Sequence, residues 1–257
     1  MKRLAKRVVQ KSFGALGYEI QPLRPDIPAV PVEFSGRDRE ILNHVLDNRL
    51  TMVSRERLIA TMLACKYVVA NGIEGDFVEC GVWRGGNAIA AKLVFESCGA
   101  NRKVILFDTF AGMTEPTEAD ISVRRESTQE RFRRSQREDY NEWCYASLAS
   151  VKANFRAAGA DLSGVRFIEG DVTETLRVPG NLPENISVLR LDTDWYELTK
   201  VEMEALYPRL RERGVLIIDD YGHWQGARKA IEEYFEETGL PRPLLQHTDY
   251  TGRMGIK

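Results

Sequence analysis

Val78-Glu79-Cys80-Gly81-Val82-Trp83-Arg84-Gly85-Gly86 joins the end of a short apolar run, Phe77 to Cys80, to a helical pattern from Ala88 to Cys98. Glycine has no Cβ, so Gly81 and Gly85 let the backbone turn tightly and approach a ligand, as in the first βα unit of a parallel sheet. Outward from this stretch, apolar runs fall at Lys103 to Phe107, Val165 to Glu169, Ser187 to Leu191 and Gly214 to Ile218. Helical periodicity separates them, as at Leu198 to Glu212. Two helical patterns precede the first strand: Arg37 to Arg49, and Arg55 to Ala70 with Ser54 as its N-cap. Pro243 to His247 and Arg253 to Lys257, around Tyr250-Thr251-Gly252, read as a closing hairpin. The expected architecture is α/β and Rossmann-like: a mostly parallel seven-stranded sheet with helices on both faces and an antiparallel C-terminal hairpin.

Ligands of such sheets bind at the C-terminal ends of the strands. The loop reads Glu-x-Gly-x-x-x-Gly, the pattern associated with S-adenosyl-L-methionine, and lacks the Gly-x-Gly-x-x-Gly that a nicotinamide dehydrogenase would want. Plain helix-sheet packing also uses a glycine-rich turn, so the next strands must support the reading. Asp108, at the end of the second, is placed to accept both ribose hydroxyls, and Asp171, after the third, to read an adenine amino group. The fourth and fifth strands end in Asp192-Thr193-Asp194 and Asp219-Asp220. Asp192 and Asp194 point the same way if extended geometry persists, whereas Asp219 and Asp220 share a ligand only where the strand ends and turns. Four carboxylates at one edge repel one another unless a cation neutralises them, and a hard oxygen-seeking ion such as magnesium is the natural partner. Any one of these acids also has a simpler use as a helix cap. His223 is placed to act as a base or to orient a substrate, or else it is structural. Trp195, Tyr196, Tyr221 and Trp224 flank the acids as pocket wall or as core.

A chain of 257 residues with a formal net charge of -2 has room for one large domain and no global pull toward nucleic acid. Its four cysteines form no CxxC pair and have no metal-ligand spacing with the three histidines, so a reducing cytoplasm is expected and a zinc site is not. A basic arm with a proline-rich linker (1–31) is expected ahead of the main domain (32–257). The arm, with Lys2, Arg3, Lys6, Arg7 and Lys11 among apolar residues, is compatible with membrane contact but reads more simply as an oligomerisation arm or frayed terminus. A homo-oligomer is expected. Residues 113–155 contain no clear strand and read as a lid, and the six arginines between Arg124 and Arg137 are either a solvated, ion-paired helix or an anion-binding surface.

These segments together resemble the macrocin O-methyltransferase family, which includes metal-dependent sugar O-methyltransferases of macrolide and aminocoumarin antibiotic pathways. The matching stretches are Thr51-Met52, Gly75 to Gly86, Phe107-Asp108-Thr109-Phe110-Ala111-Gly112, Leu189 to Glu197, Leu206-Tyr207-Pro208 and Asp219-Asp220-Tyr221-Gly222. The resemblance implies a class I methyltransferase fold and a donor site comprising Thr51, Met52, Glu79, Gly81, Arg84, Gly85, Asp108, Thr109 and Phe110, to which the strand-end position adds Asp171. It implies magnesium held by Asp192, Asp219 and Asp220, with Asp194 as general base and a small-molecule glycoside as acceptor. The family usually has serine where this chain has Leu198, and the arginine-rich segment matches no family motif, so the acceptor is not inherited with the fold. A catechol-like or other vicinal-oxygen acceptor, and a non-catalytic adenosylmethionine-binding role, are the competing readings. A metal hydrolase would want more histidine ligands than the chain offers.

Overall fold

A computed structural model describes residues 12–13, 30–124 and 127–257. The basic arm and most of the proline-rich stretch lie outside the described residues. The body, Ser35–Lys257, is one compact unit. It opens with α1 (Gly36–Asp47), whose start is fixed by a reciprocal cap: the Ser35 hydroxyl accepts the Asp38 amide at 3.1 Å, and the Asp38 carboxylate accepts the Ser35 amide at 2.8 Å. Then follow α2 (Arg55–Ala70), capped by Ser54 as expected, β1 (Asp76–Cys80), α3 (Gly86–Ser97) and β2 (Val104–Asp108). The segment after β2 holds two helices, α4 (Thr128–Ser135) and α5 (Leu148–Ala157), before β3 (Val165–Glu169). The chain continues through α6 (Val172–Thr175), β4 (Ile186–Leu191), α7 (Tyr196–Leu206), β5 (Leu210–Ile218) and α8 (Gln225–Thr238) to the strands β6 (Gln246–His247) and β7 (Arg253–Ile256).

The seven strands form one sheet in the order β3-β2-β1-β4-β5-β7-β6, with the first five parallel and β7 antiparallel to both neighbours. The expected architecture is therefore present, hairpin included. One boundary differs. The helix expected from Leu198 to Glu212 stops at Leu206, because Pro208 has no amide to continue it, and a 3-10 turn over Tyr207–Arg209 leads directly into β5. Leu189, Leu191, Leu216 and Ile218 pack under Met203, Ile231 and Phe235 of α7 and α8, while α2 and α3 cover the other face. The strand order reverses between β1 and β4, and their C-terminal ends open the crevice where ligands of doubly wound sheets bind. Among the described residues, no helix is long and apolar enough to cross a membrane.

Candidate active site

The glycine turn after β1 rests on β4 and is tied to β2. Gly81 has φ 82°, and a Cβ there would lie 1.9 Å from the Asp192 carbonyl oxygen, so only glycine permits this approach. Asp108 accepts the Val82 and Trp83 amides on Oδ2 at 2.6 and 3.1 Å, and the Phe110 amide on Oδ1 at 2.6 Å. Burial pushes this carboxyl up, against the pull of the three amide bonds. A carboxylate has about four acceptor directions. Three are taken by the amides and the Thr109 hydroxyl also favours the charged form, at the edge of the pocket that Asp108 lines together with Gly81, Thr109 and Gly170. At the other end of the turn the Gly86 amide donates to the Leu50 carbonyl at 3.0 Å, which carries Thr51 and Met52 to the crevice.

Several residues expected at the donor do not line this pocket. Gly85 heads α3 with Val151 and Phe155 of α5 packed on it, and Arg84 is exposed, its guanidinium over the Trp83 ring. Phe110 is buried and packs against Phe167. Asp171 caps α6 by accepting the Thr173 amide at 2.8 Å. Glu79 lines the neighbouring cavity instead, its Oε1 bonded to Arg190 Nη1 at 2.7 Å.

That neighbouring cavity holds the acids, and it shares Met52, Trp83, Asp192 and Asp194 with the first. Carboxylate oxygens of Asp192, Asp194 and Asp220 all lie within 4.8 Å of one another. Extended geometry does not explain this, because β4 ends at Leu191 and Asp194 turns into the left-handed region at φ 70°, which aspartate tolerates better than most residues. Burial pushes the Asp192 and Asp220 carboxyls well above the usual range and that of Asp194 up to about 7, and the charges of neighbouring aspartates add to the rise. Asp220 Oδ2 is buried without a hydrogen-bond partner. Clustered carboxylates that resist ionisation, one with an unbonded buried oxygen, fit a hard divalent cation. Asp219, expected among the ligands, is engaged by two guanidinium groups: Oδ1 accepts from Arg190 Nη2 at 2.5 Å and Oδ2 from Arg57 Nη1.

His223 lines the acid cavity with Nδ1 3.1 Å from the Tyr250 hydroxyl and its ring edge-on to Trp224. Of the four flanking aromatics, Trp224 lines the cavity and Trp195 is buried, 4.9 Å from it centre to centre. Tyr196 and Tyr221 turn away to Glu233 and Glu232 of α8. Among its described residues, the arginine-rich segment contributes one side chain, Arg131, whose guanidinium lies 4.0 Å above the Trp143 ring at the cavity wall. Arg57, Arg190 and Trp143 were not foreseen in the sequence, where nothing local marks an arginine in an apolar strand as a partner of acids on its neighbours.

One further acid supports the site from the opposite face of the sheet. Glu202 of α7 is fully buried and accepts the Thr193 hydroxyl at 2.9 Å, which fixes the link between Asp192 and Asp194. Burial pushes its carboxyl from 4.5 up to about 8. A folded-state value above the unfolded one means that stability is full below the unfolded value and is lost as pH rises through the folded one. Parent and Glu202→Gln should therefore melt alike near pH 5, and the variant should become the more stable by several degrees as pH rises to about 8. Parallel Tm curves across that range would show that Glu202 is ionised in the fold.

A mostly parallel seven-stranded sheet with a glycine turn at β1 and acids at the β4 and β5 ends is the architecture of class I, adenosylmethionine-binding methyltransferases. Solved structures agree: the O-methyltransferase NovP aligns with a TM-score of 0.70 and 28% identity, covering 80% of this chain and 81% of its own. The calicheamicin methyltransferase CalS11 shares the fold at 0.58 and 20% identity, over 93% and 98%. Residues 17–254 match the macrocin-O-methyltransferase (TylF) family, and the chain belongs to that family of O-methyltransferases. Among its relatives, the 8-demethyl-8-(2,3-dimethoxy-alpha-L-rhamnosyl)-tetracenomycin-C 4'-O-methyltransferase of Streptomyces olivaceus is 35% identical over 88% of this chain and 80% of the relative. The demethyldecarbamoylnovobiocin O-methyltransferase of Streptomyces niveus is 31% identical over 85% and 82%.

Proposed function

We propose that this enzyme transfers a methyl group from S-adenosylmethionine to a sugar hydroxyl of a glycosylated natural product, with magnesium in the acid cluster. The observation that carries this reading is the shared wall: the donor pocket and the acid cavity both contain Met52, Trp83, Asp192 and Asp194. A donor methyl in the first would face a hydroxyl in the second. The relatives supply the substrate class, since the Streptomyces olivaceus enzyme is a 4'-O-methyltransferase of a rhamnosyl tetracenomycin.

Asp192 and Asp220 would hold the cation, with Asp194 within 4.8 Å of both and Asp219 beside them as counter-ion to Arg57 and Arg190. When bound, the ion supplies Lewis acidity toward an acceptor hydroxyl. Asp194, which lines both the donor pocket and the acid cavity, takes the hydroxyl proton as the new oxygen–carbon bond forms and the sulfur–carbon bond breaks. Asp108 and the glycine turn hold the donor in line, and Trp143 and Trp224 wall the acceptor side. Calorimetry with S-adenosylhomocysteine, with and without magnesium, tests the donor and metal assignments. Mass spectrometry for a one-methyl gain on rhamnosides and on catechol, each with and without chelator, tests the acceptor. Methylation of catechol alone would move the enzyme to the vicinal-oxygen class.

Arg131 distinguishes the two readings of the arginine-rich segment. If the acceptor carries an anionic group, Arg131→Gln should raise its KM about tenfold, the loss of one charge-assisted hydrogen bond, with donor affinity unchanged. The exposed pair Arg133→Gln/Arg134→Gln should leave both unchanged. Equal acceptor KM in parent and Arg131→Gln would direct the search to neutral sugars.

A further inference from the structure

Arg190 is the penultimate residue of β4 and is 1% exposed. The sheet itself explains its partners. The β1–β4 register puts Glu79 directly beside it, and the β4–β5 register puts it opposite Ile217, so Asp219, two residues on, shares its face. Nη1 reaches Glu79 Oε1 and Asp192 Oδ2, both at 2.7 Å, and Nη2 reaches Asp219 Oδ1 at 2.5 Å. Arg57 closes the far side, bonding Asp219 Oδ2 and, through Nε at 2.9 Å, Asp249. One guanidinium thus joins three strands. Each oxygen of Asp219 accepts from a guanidinium, whereas Arg190 engages only Oδ2 of Asp192.

Stability does not account for this arrangement. Taking a guanidinium and three carboxylates out of water costs several kcal/mol per ion, and apolar residues of similar volume commonly serve a fold as well or better. Nor does charge help, because a positive group 2.7 Å from Asp192 opposes cation binding. What the planar fork supplies is direction: two nitrogens at fixed angles hold three acids in one rotamer each, which a lysine ammonium cannot do.

We propose that Arg190, anchored by Glu79, is the positioning residue of the acid cluster: it fixes Asp192 in the orientation that binds a divalent cation, so that Glu79 serves the metal rather than the methyl donor. This rests on the metal assignment made above. The test is Mn2+ binding by calorimetry and by the loss of the free-ion spin-resonance signal, with S-adenosylhomocysteine affinity measured on the same samples. Arg190→Lys keeps the charge and loses the fork, and Mn2+ affinity should fall about tenfold, as when an orienting partner of a ligand is lost, while S-adenosylhomocysteine binds within twofold of the parent. In an Asp192→Asn background the same Arg190→Lys change should cost nothing further, because its effect passes through Asp192. Glu79→Gln, which leaves the Asp192 and Asp219 pairs in place, should also weaken Mn2+ and spare the donor, and it carries the test if Arg190→Lys fails to fold. The proposal is overturned by a folded Arg190→Lys protein that binds Mn2+ like the parent, by a penalty that persists without Asp192, or by a Glu79→Gln protein that loses donor rather than metal affinity. A parent enzyme that binds S-adenosylhomocysteine but no Mn2+ would remove the metal assignment, and this proposal with it.

Discussion

Asp220→Asn is expected to lower turnover about a thousandfold and to leave S-adenosylhomocysteine affinity unchanged. The substitution keeps the size of the side chain and removes one of three charges whose oxygens lie within 4.8 Å of one another. Several kcal/mol of transition-state stabilisation come from a bound cation, and each 1.36 kcal/mol is tenfold in rate, which gives the magnitude. Chelator should reduce the parent to the same level. Magnesium should restore the parent and not the variant, because the defect lies in the donor set and not in the supply of ion. Full turnover of the parent in chelator would end the metal mechanism, and the fold and donor pocket would stand without it.

Gly81→Ala should be the more damaging change, although it adds one methyl group. The added carbon would fall 1.9 Å from the Asp192 carbonyl oxygen and 2.6 Å from its carbon, and the residue already sits at φ 82°. Both contacts are backbone, so neither can be relieved by a rotamer change, and either the glycine turn or the end of β4 must move. A loss of about 4 kcal/mol or more is expected in the unfolding free energy, the range reserved for overpacking and strain at special backbone positions. In whatever fraction folds, donor affinity should fall more than tenfold, since moving the turn breaks the amide bonds to Asp108. Denaturant unfolding together with calorimetry would check both, and a variant within 1 kcal/mol of the parent would mean that the turn has room to shift.

The sheet was legible because its evidence is local. β3 falls on the expected residues, and the β1, β2 and β4 boundaries are off by at most one, since apolar runs and glycine turns mark strand ends within a few residues. The start of β5 was hidden because Arg211, Glu212 and Arg213 form a charged extension of the strand that continues the helical charge pattern; Pro208 was the signal that separates the two. The acids were found by type and by place at the strand ends. Their hydrogen-bond partners were not, because these depend on register: the β4–β5 pairing of Arg190 with Ile217 is what brings Asp219 to its guanidinium. Arg131 was one of six arginines in the sequence, and only the packing on Trp143 singles it out.

The antiparallel β7 lies between β5 and β6, and the loop that joins those late strands carries Asp249, Tyr250 and Thr251 to the acid cavity. During translation, a nascent chain that has reached only the end of α8 has already made all five parallel strands, yet the outer edge of β5 still presents unpaired amides and carbonyls. Such an edge is a template for pairing with another chain. Premature termination after α8 would therefore yield a product prone to aggregate. It would also be inert, because Arg57 would lack Asp249 and Asp219 would lack the Thr251 hydroxyl that bonds its carbonyl at 2.9 Å. The segment that seals the sheet also finishes the site, so a ribosome that stalls short of it releases no half-competent enzyme.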